Sequence, residues 1–164
     1  MGAVSLKFPE RVYTEKEVEI ARELIKKGYK HNLTVEGNQN FKQKVNQALE
    51  MTKTAGYYEF LRTYIMKIME IDGLTQLRET EAVIWANKFA VENPVDAASL
   101  LIQKANHMKE YLEGELYYGG IAEKRSVEKR IHFLEVLKNK TQEENVKEEC
   151  KRLLQMWEDS SLVY

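Results

Sequence analysis

The chain has 164 residues, 43% of them hydrophobic and 31% charged, which places it among globular domains and away from the composition at which chains stay disordered. That length suits one domain able to bury roughly 70% of the surface its unfolded form exposes, so no staple is required. With 25 basic and 26 acidic residues the net charge is −1, too small to draw nucleic acid or an anionic membrane to the whole molecule. The single cysteine, Cys150, excludes an internal disulfide and a cysteine-built zinc site, and it fits a reducing, cytoplasmic setting. No run of eighteen apolar residues occurs, and the opening stretch lacks the apolar run of a secretory signal, so neither a membrane span nor export is expected.

Two prolines and glycines set between periodic segments give the punctuation of a chain of helices. The first helix opens on the capping-box pair Thr14 and Glu17 and ends near Gly28, with Val18, Ala21, Leu24 and Ile25 inward. A loop follows, in which Leu33 to Val35 are the only strand-like letters, enough for one short strand. Phe41, Val45, Ala48 and Leu49 mark a second helix closing at Gly56.

The third helix is expected across "YYEFLRTYIMKIMEID", residues 57–72, where a step of 100° per residue gathers Glu59, Arg62, Thr63, Lys67 and Glu70 into one polar sector. Met66 falls in that sector and is the apolar residue expected to meet solvent or a partner chain. A fourth helix is expected from Thr75 to about Glu92, apolar almost all round and so deeply buried. Asn93 and Pro94 then supply the cap and first residue of a fifth, which runs to the Gly119-Gly120 break. The sixth uses Val127, Ile131, Leu134 and Leu137; the seventh opens at Thr141 and Glu144 and carries Val146, Cys150, Leu153 and Trp157 inward. The fold class read from this pattern is all-α: a single-domain helical bundle of about seven helices over residues 1–164, with 1–12 and 159–164 loosely ordered.

Chemistry-bearing patterns are sparse. The chain has no H-E-x-x-H, no phosphate-cradling glycine loop, no nucleotide-binding glycine fingerprint, no G-x-S-x-G elbow and no calcium loop. His107 and Glu110 have the spacing but the reverse order of a di-iron Glu-x-x-His pair, and no second pair accompanies them, so no metal site and no cofactor are expected.

Two stripes remain. On the fifth helix Val95, Ala98, Leu101, Ile102, Ala105, Leu112 and Leu116 form a core face; beside it Leu100, Lys104, His107, Tyr111, Glu115 and Tyr118 follow at spacings of four, three, four, four and three. An ammonium, an imidazole, two phenols and a carboxylate along one edge are the groups of acid–base sites and polar ligand pockets, or of an ordinary amphipathic flank. Glu115 stands out, because packing it there demands a cation or an opening to water.

On the sixth helix Arg125, Lys129 and His132 stack opposite the apolar face within 122–140, a segment of six basic and three acidic residues that could contact phosphates or simply be solvated. The Arg125 and His132 spacing is similar to that of the Arg–His pair in the small helical HEPN ribonucleases, without the neighbouring residues of that family. The reading favoured by the sequence is a protein-interaction or assembly module without catalytic activity, self-associating through its third and fourth helices. A nucleic-acid-binding protein or small ribonuclease using Arg125, Lys129 and His132 is one alternative. A small-molecule binder or enzyme at the Lys104 to Tyr118 stripe is the other.

Overall fold

The structure is a computed structural model, and it describes residues 7–115 and 119–161. Leu116 and Tyr118 of the fifth-helix pattern, residues 1–6 and residues 162–164 lie outside the described residues. Among those described the chain forms six α-helices and a four-stranded mixed sheet, which overturns the all-α, seven-helix bundle.

Helix α1, Glu15–Lys26, starts at the expected capping box: Thr14 Oγ1 accepts the Glu17 amide, and the Glu17 carboxylate reaches back to the Thr14 amide. Strand β1 is Thr34–Glu36, one residue beyond the strand-like letters. It turns into α2, Gln39–Thr54, through Gly37 and the cap Asn38, whose side chain accepts the Phe41 amide. A side chain at Gly37, which has φ +155, would put its Cβ 2.6 Å from Phe41 Cδ1 and 2.8 Å from Glu70 Cβ, so only glycine lets the turn approach the sheet this closely.

The departure begins after α3, Tyr58–Tyr64, which covers only the first half of the expected third helix. The remainder is strand β2, Lys67–Ile71; the expected fourth helix is replaced by β3, Gln76–Arg78, β4, Val83–Asn87, and a 3-10 turn at Lys88–Val91. The sheet order is β1-β2-β4-β3, with β1, β2 and β4 parallel and β3 an antiparallel edge. Val35, Ile68 and Ile84 pair in register across the three parallel strands, and Leu77 lies opposite Ile84 on the fourth.

The physical reason is that five residues are too few to fix a period: β2 reads Lys-Ile-Met-Glu-Ile and β4 Val-Ile-Trp-Ala-Asn, a helical wheel fits either equally well, and only pairing in the sheet places them. Ile68, Ile84 and Ala86 are fully buried as a result. β-branched Ile65, Ile68 and Ile71 fit a pleated, buried surface better than the interior of a helix. Of the two helices expected to carry self-association, the fourth does not form and the third is reduced to Tyr58–Tyr64. Met66, just before β2, is 36% exposed.

Helix α4, Pro94–Leu112, is the hub of the molecule and packs against α1, α2, α3, β3, α5, Gly120–Lys140, and α6, Glu144–Ser161. Asn93 caps it, accepting the amides of Val95 and Asp96, with Pro94 in the first turn. Its apolar face, Val95, Ala98, Leu101, Ile102, Ala105, Met108 and Leu112, joins Phe133, Leu134 and Leu137 of α5 and Val146, Cys150 and Leu153 of α6 in one core.

Candidate functional site

Because α4 is enclosed on most sides, its polar residues also face neighbouring elements. Near its start Arg130 of α5 reaches in. Its guanidinium donates to Ser99 Oγ at 2.8 Å, Gln103 Oε1 at 3.1 Å and Asp96 Oδ1 at 2.7 Å, and it stacks over the Trp157 ring 5.0 Å from the centroid. Gln103 in turn donates to Ser126 Oγ. Neither Arg130 nor Gln103 was distinguished by the sequence. The signal present was polar residues four apart on each helix, Ser99 and Gln103 facing Ser126 and Arg130, at positions where a core face would be apolar.

Near the end of α4 the buried Glu110 carboxylate accepts two hydrogen bonds from Arg125, Nε at 3.2 Å and Nη2 at 3.0 Å, and one from Asn106 at 2.9 Å. Arg125, the first of the candidate phosphate-contacting residues, is therefore committed to a carboxylate. Lys129 lies over the rings of Tyr57 and Phe60, 5.2 and 4.9 Å from their centroids, and burial pulls its ammonium below the usual lysine range. His132 shares a 2.7 Å hydrogen bond with the Tyr57 hydroxyl. All three basic residues thus have partners within the chain.

The Lys104, His107, Tyr111, Glu115 and Tyr118 stripe is divided. The helix stops at Leu112; Gly114 takes φ 73 and the Glu115 amide folds back to the Glu110 carbonyl at 3.0 Å. Glu115 consequently leaves the helix edge, its side chain half exposed and 3.9 Å from Arg125. It found its cation and its water by leaving the pattern.

Tyr111 donates to the Val12 carbonyl at 2.5 Å, and the Val12 amide donates to Thr80 at 2.6 Å, so the segment before α1 is fastened across the β3–β4 turn and α4. Tyr111 also lines an open groove of about 930 Å³ between α1 and the last turns of α4, with Tyr13, Arg22, Tyr64 and Lys109.

Lys104 and His107 stay together. They are half-buried, one turn apart, with Glu79 after β3, Glu123 and Arg130 of α5 and Glu110 of α4 as their charged surroundings. His107 Nε2 is buried without a hydrogen-bond partner, and among the described residues Lys104 makes neither a hydrogen bond nor an ion pair. Burial lowers both the Lys104 and the His107 pKa, and their mutual repulsion lowers that of His107 further.

Residues 103–107 read Gln-Lys-Ala-Asn-His, which keeps only the last histidine of the H-E-x-x-H spacing. Gln103 is engaged by Arg130 and Ser126, and Lys104 brings a positive charge beside the imidazole. Among the described residues no group of three or more His, Cys, Asp or Glu side chains is placed to hold a metal ion. No described helix is long and apolar enough to cross a membrane.

No family model, curated protein sequence or solved structure matches the chain.

Proposed function

We propose that the protein is a binding domain without catalytic activity, and that Lys104 and His107 on α4 are its ligand-facing groups. The observation that carries this reading is the contrast along one helix: Asp96, Ser99, Gln103, Asn106 and Glu110 all have hydrogen-bond partners, while His107 Nε2 is buried with none and Lys104, facing Glu79 and Glu123, makes neither a hydrogen bond nor an ion pair. A buried polar group left unpaired costs roughly 1–3 kcal/mol, a cost that brings the fold nothing and is recovered when a ligand supplies the missing bonds. A catalytic histidine is oriented by a hydrogen bond to its second ring nitrogen, and none to His107 is present among the described residues. The absence of such an orienting group supports binding over acid–base chemistry.

The test is the stability of Lys104→Met combined with His107→Phe. Groups kept for a ligand cost the free domain stability, so their apolar replacements should leave its urea midpoint unchanged or raise it. A loss of more than about 2 kcal/mol would mean that both side chains serve the fold, which ends this reading.

A further inference from the structure

We propose that the free edge of β1, with the groove between it and α2, binds an extended peptide segment of a partner protein that carries an acidic side chain. β1 is an end strand of the sheet and pairs only with β2. The Thr34 amide donates to the Met66 carbonyl at 3.1 Å, in a parallel register that sets Thr34 opposite Lys67 and Glu36 opposite Met69. Backbone groups alternate in direction along a strand, so Thr34 and Glu36 turn theirs to β2, and Val35 turns its amide and carbonyl to the open side. Neither has a hydrogen-bond partner among the described residues. They are the donor and the acceptor that an added strand takes up.

The groove beside this edge measures about 790 Å³ and is lined by Leu33, Val35 and, from α2, Gln39, Lys42, Gln43 and Asn46. Lys104 and His107 line no part of it, so this surface stands apart from them. Leu33 and Val35 are half-buried and pack on the core, which leaves each a partly open apolar side chain for an apolar residue of the peptide. Gln39, Gln43 and Asn46 are exposed, and their amides both donate and accept, as a peptide backbone requires. Charge sets the remaining condition. The one acid lining the groove, Glu50, is bonded to Lys53 at 3.2 Å, while the half-buried Lys42 side chain makes neither a hydrogen bond nor an ion pair among the described residues. The excess positive charge favours an acidic occupant and disfavours a second copy, which would bring its own Lys42 to the same edge.

The experiment follows the amide resonances of the full chain by NMR as acetyl-Thr-Val-Thr-Glu-Thr-amide is added. Its valine and glutamate share one face of a strand and its threonines the other. The Val35 amide should shift saturably at millimolar peptide and exchange more slowly with solvent. The same peptide methylated at its backbone nitrogens should leave it unmoved. Lysine in place of the glutamate should weaken binding about threefold or more, a preference that Lys42→Glu should reverse. No response of Val35 to the acidic peptide overturns the proposal, as does an equal response to the methylated one. An unchanged preference in Lys42→Glu overturns the acidic occupant. A Val35 shift that grows with protein concentration in the absence of peptide assigns the edge to a second copy and overturns the partner peptide.

Discussion

The Arg130 guanidinium stands 2.7 Å from Asp96 Oδ1 while its flat face covers the ring of Trp157, so one side chain of α5 joins α4 to α6. Its remaining donors go to Ser99 and Gln103, both buried. Arg130→Ala strands three acceptors at once. Removing one partner of a buried pair typically costs 3–5 kcal/mol, and because the Asp96 side chain is 37% exposed the expected loss is about 2–3 kcal/mol. Chemical unfolding followed by tryptophan fluorescence checks it. Arg130→Lys should recover little, since an ammonium cannot span the same fork of acceptors or stack on the indole.

His31 sets an acid limit on stability. It is 2% exposed, packed edge-on against Phe8 and Tyr29, and burial pushes its pKa down to about 4 from 6.5. The folded imidazole therefore resists a proton that the unfolded chain accepts. Between pH 6.5 and 4 the unfolded state binds more protons, so stability is fully present above pH 6.5 and falls as pH drops through that window, by about 3 kcal/mol in all. His107, also lowered by burial, adds to the slope with the same sign. His31→Phe should flatten most of the fall in the urea midpoint over that range; an unchanged pH profile would show that His31 ionises in the folded state.

What the sequence revealed was local and what it concealed was not. Caps at Thr14 and Asn93 depend on residues two or three positions away, and both were legible as spacings. Strands β2 and β4 depend on pairing between Ile68 and Ile84, sixteen positions apart, and over five residues no period separates a strand from a helix turn. The same holds for the site. Lys104 and His107 could be placed on one edge by counting, but their surroundings could not, because those depend on where Glu79, Glu123 and Arg130 end up. Glu115 misled for a local reason: the helix stops at Leu112, three residues before it, and Gly114 in a left-handed conformation turns the chain away, so the angle assigned to Glu115 belonged to a helix that had already stopped.

Cys150 is expected to be inert while the fold is intact. It is fully buried beneath α4 and α5, and burial raises its thiol pKa to about 11, so almost none is thiolate at pH 8. A chromogenic disulfide reagent at pH 8 should find no reactive thiol in the native protein and the chain's one cysteine in denaturant. Because access requires opening of the α4–α5–α6 core, the labelling rate of Arg130→Ala should rise in step with its loss of stability. Fast labelling of the wild-type protein would contradict the burial of α6 against α4.

Gly37 tests the sheet in place of the expected all-helical bundle. It sits between β1 and α2 with φ +155, and a Cβ there would meet the Phe41 ring and Glu70 Cβ at 2.6 and 2.8 Å. Glu70 belongs to β2 and accepts hydrogen bonds from the Asn38 amide and side chain, so it cannot retreat without releasing the cap of α2. Phe41 is buried in the core and has no space to yield. Gly37→Ala should therefore cost about 2 kcal/mol or more, combining a strained backbone with overpacking, whereas Gly28→Ala meets no atom within 4 Å and carries only the backbone strain of its φ of +97. In a loop joining two helices, with no strand at Lys67–Ile71 beside it, Gly37→Ala would cost no more than Gly28→Ala. Equal thermal midpoints for the two variants would therefore count against the β1–β2 pairing.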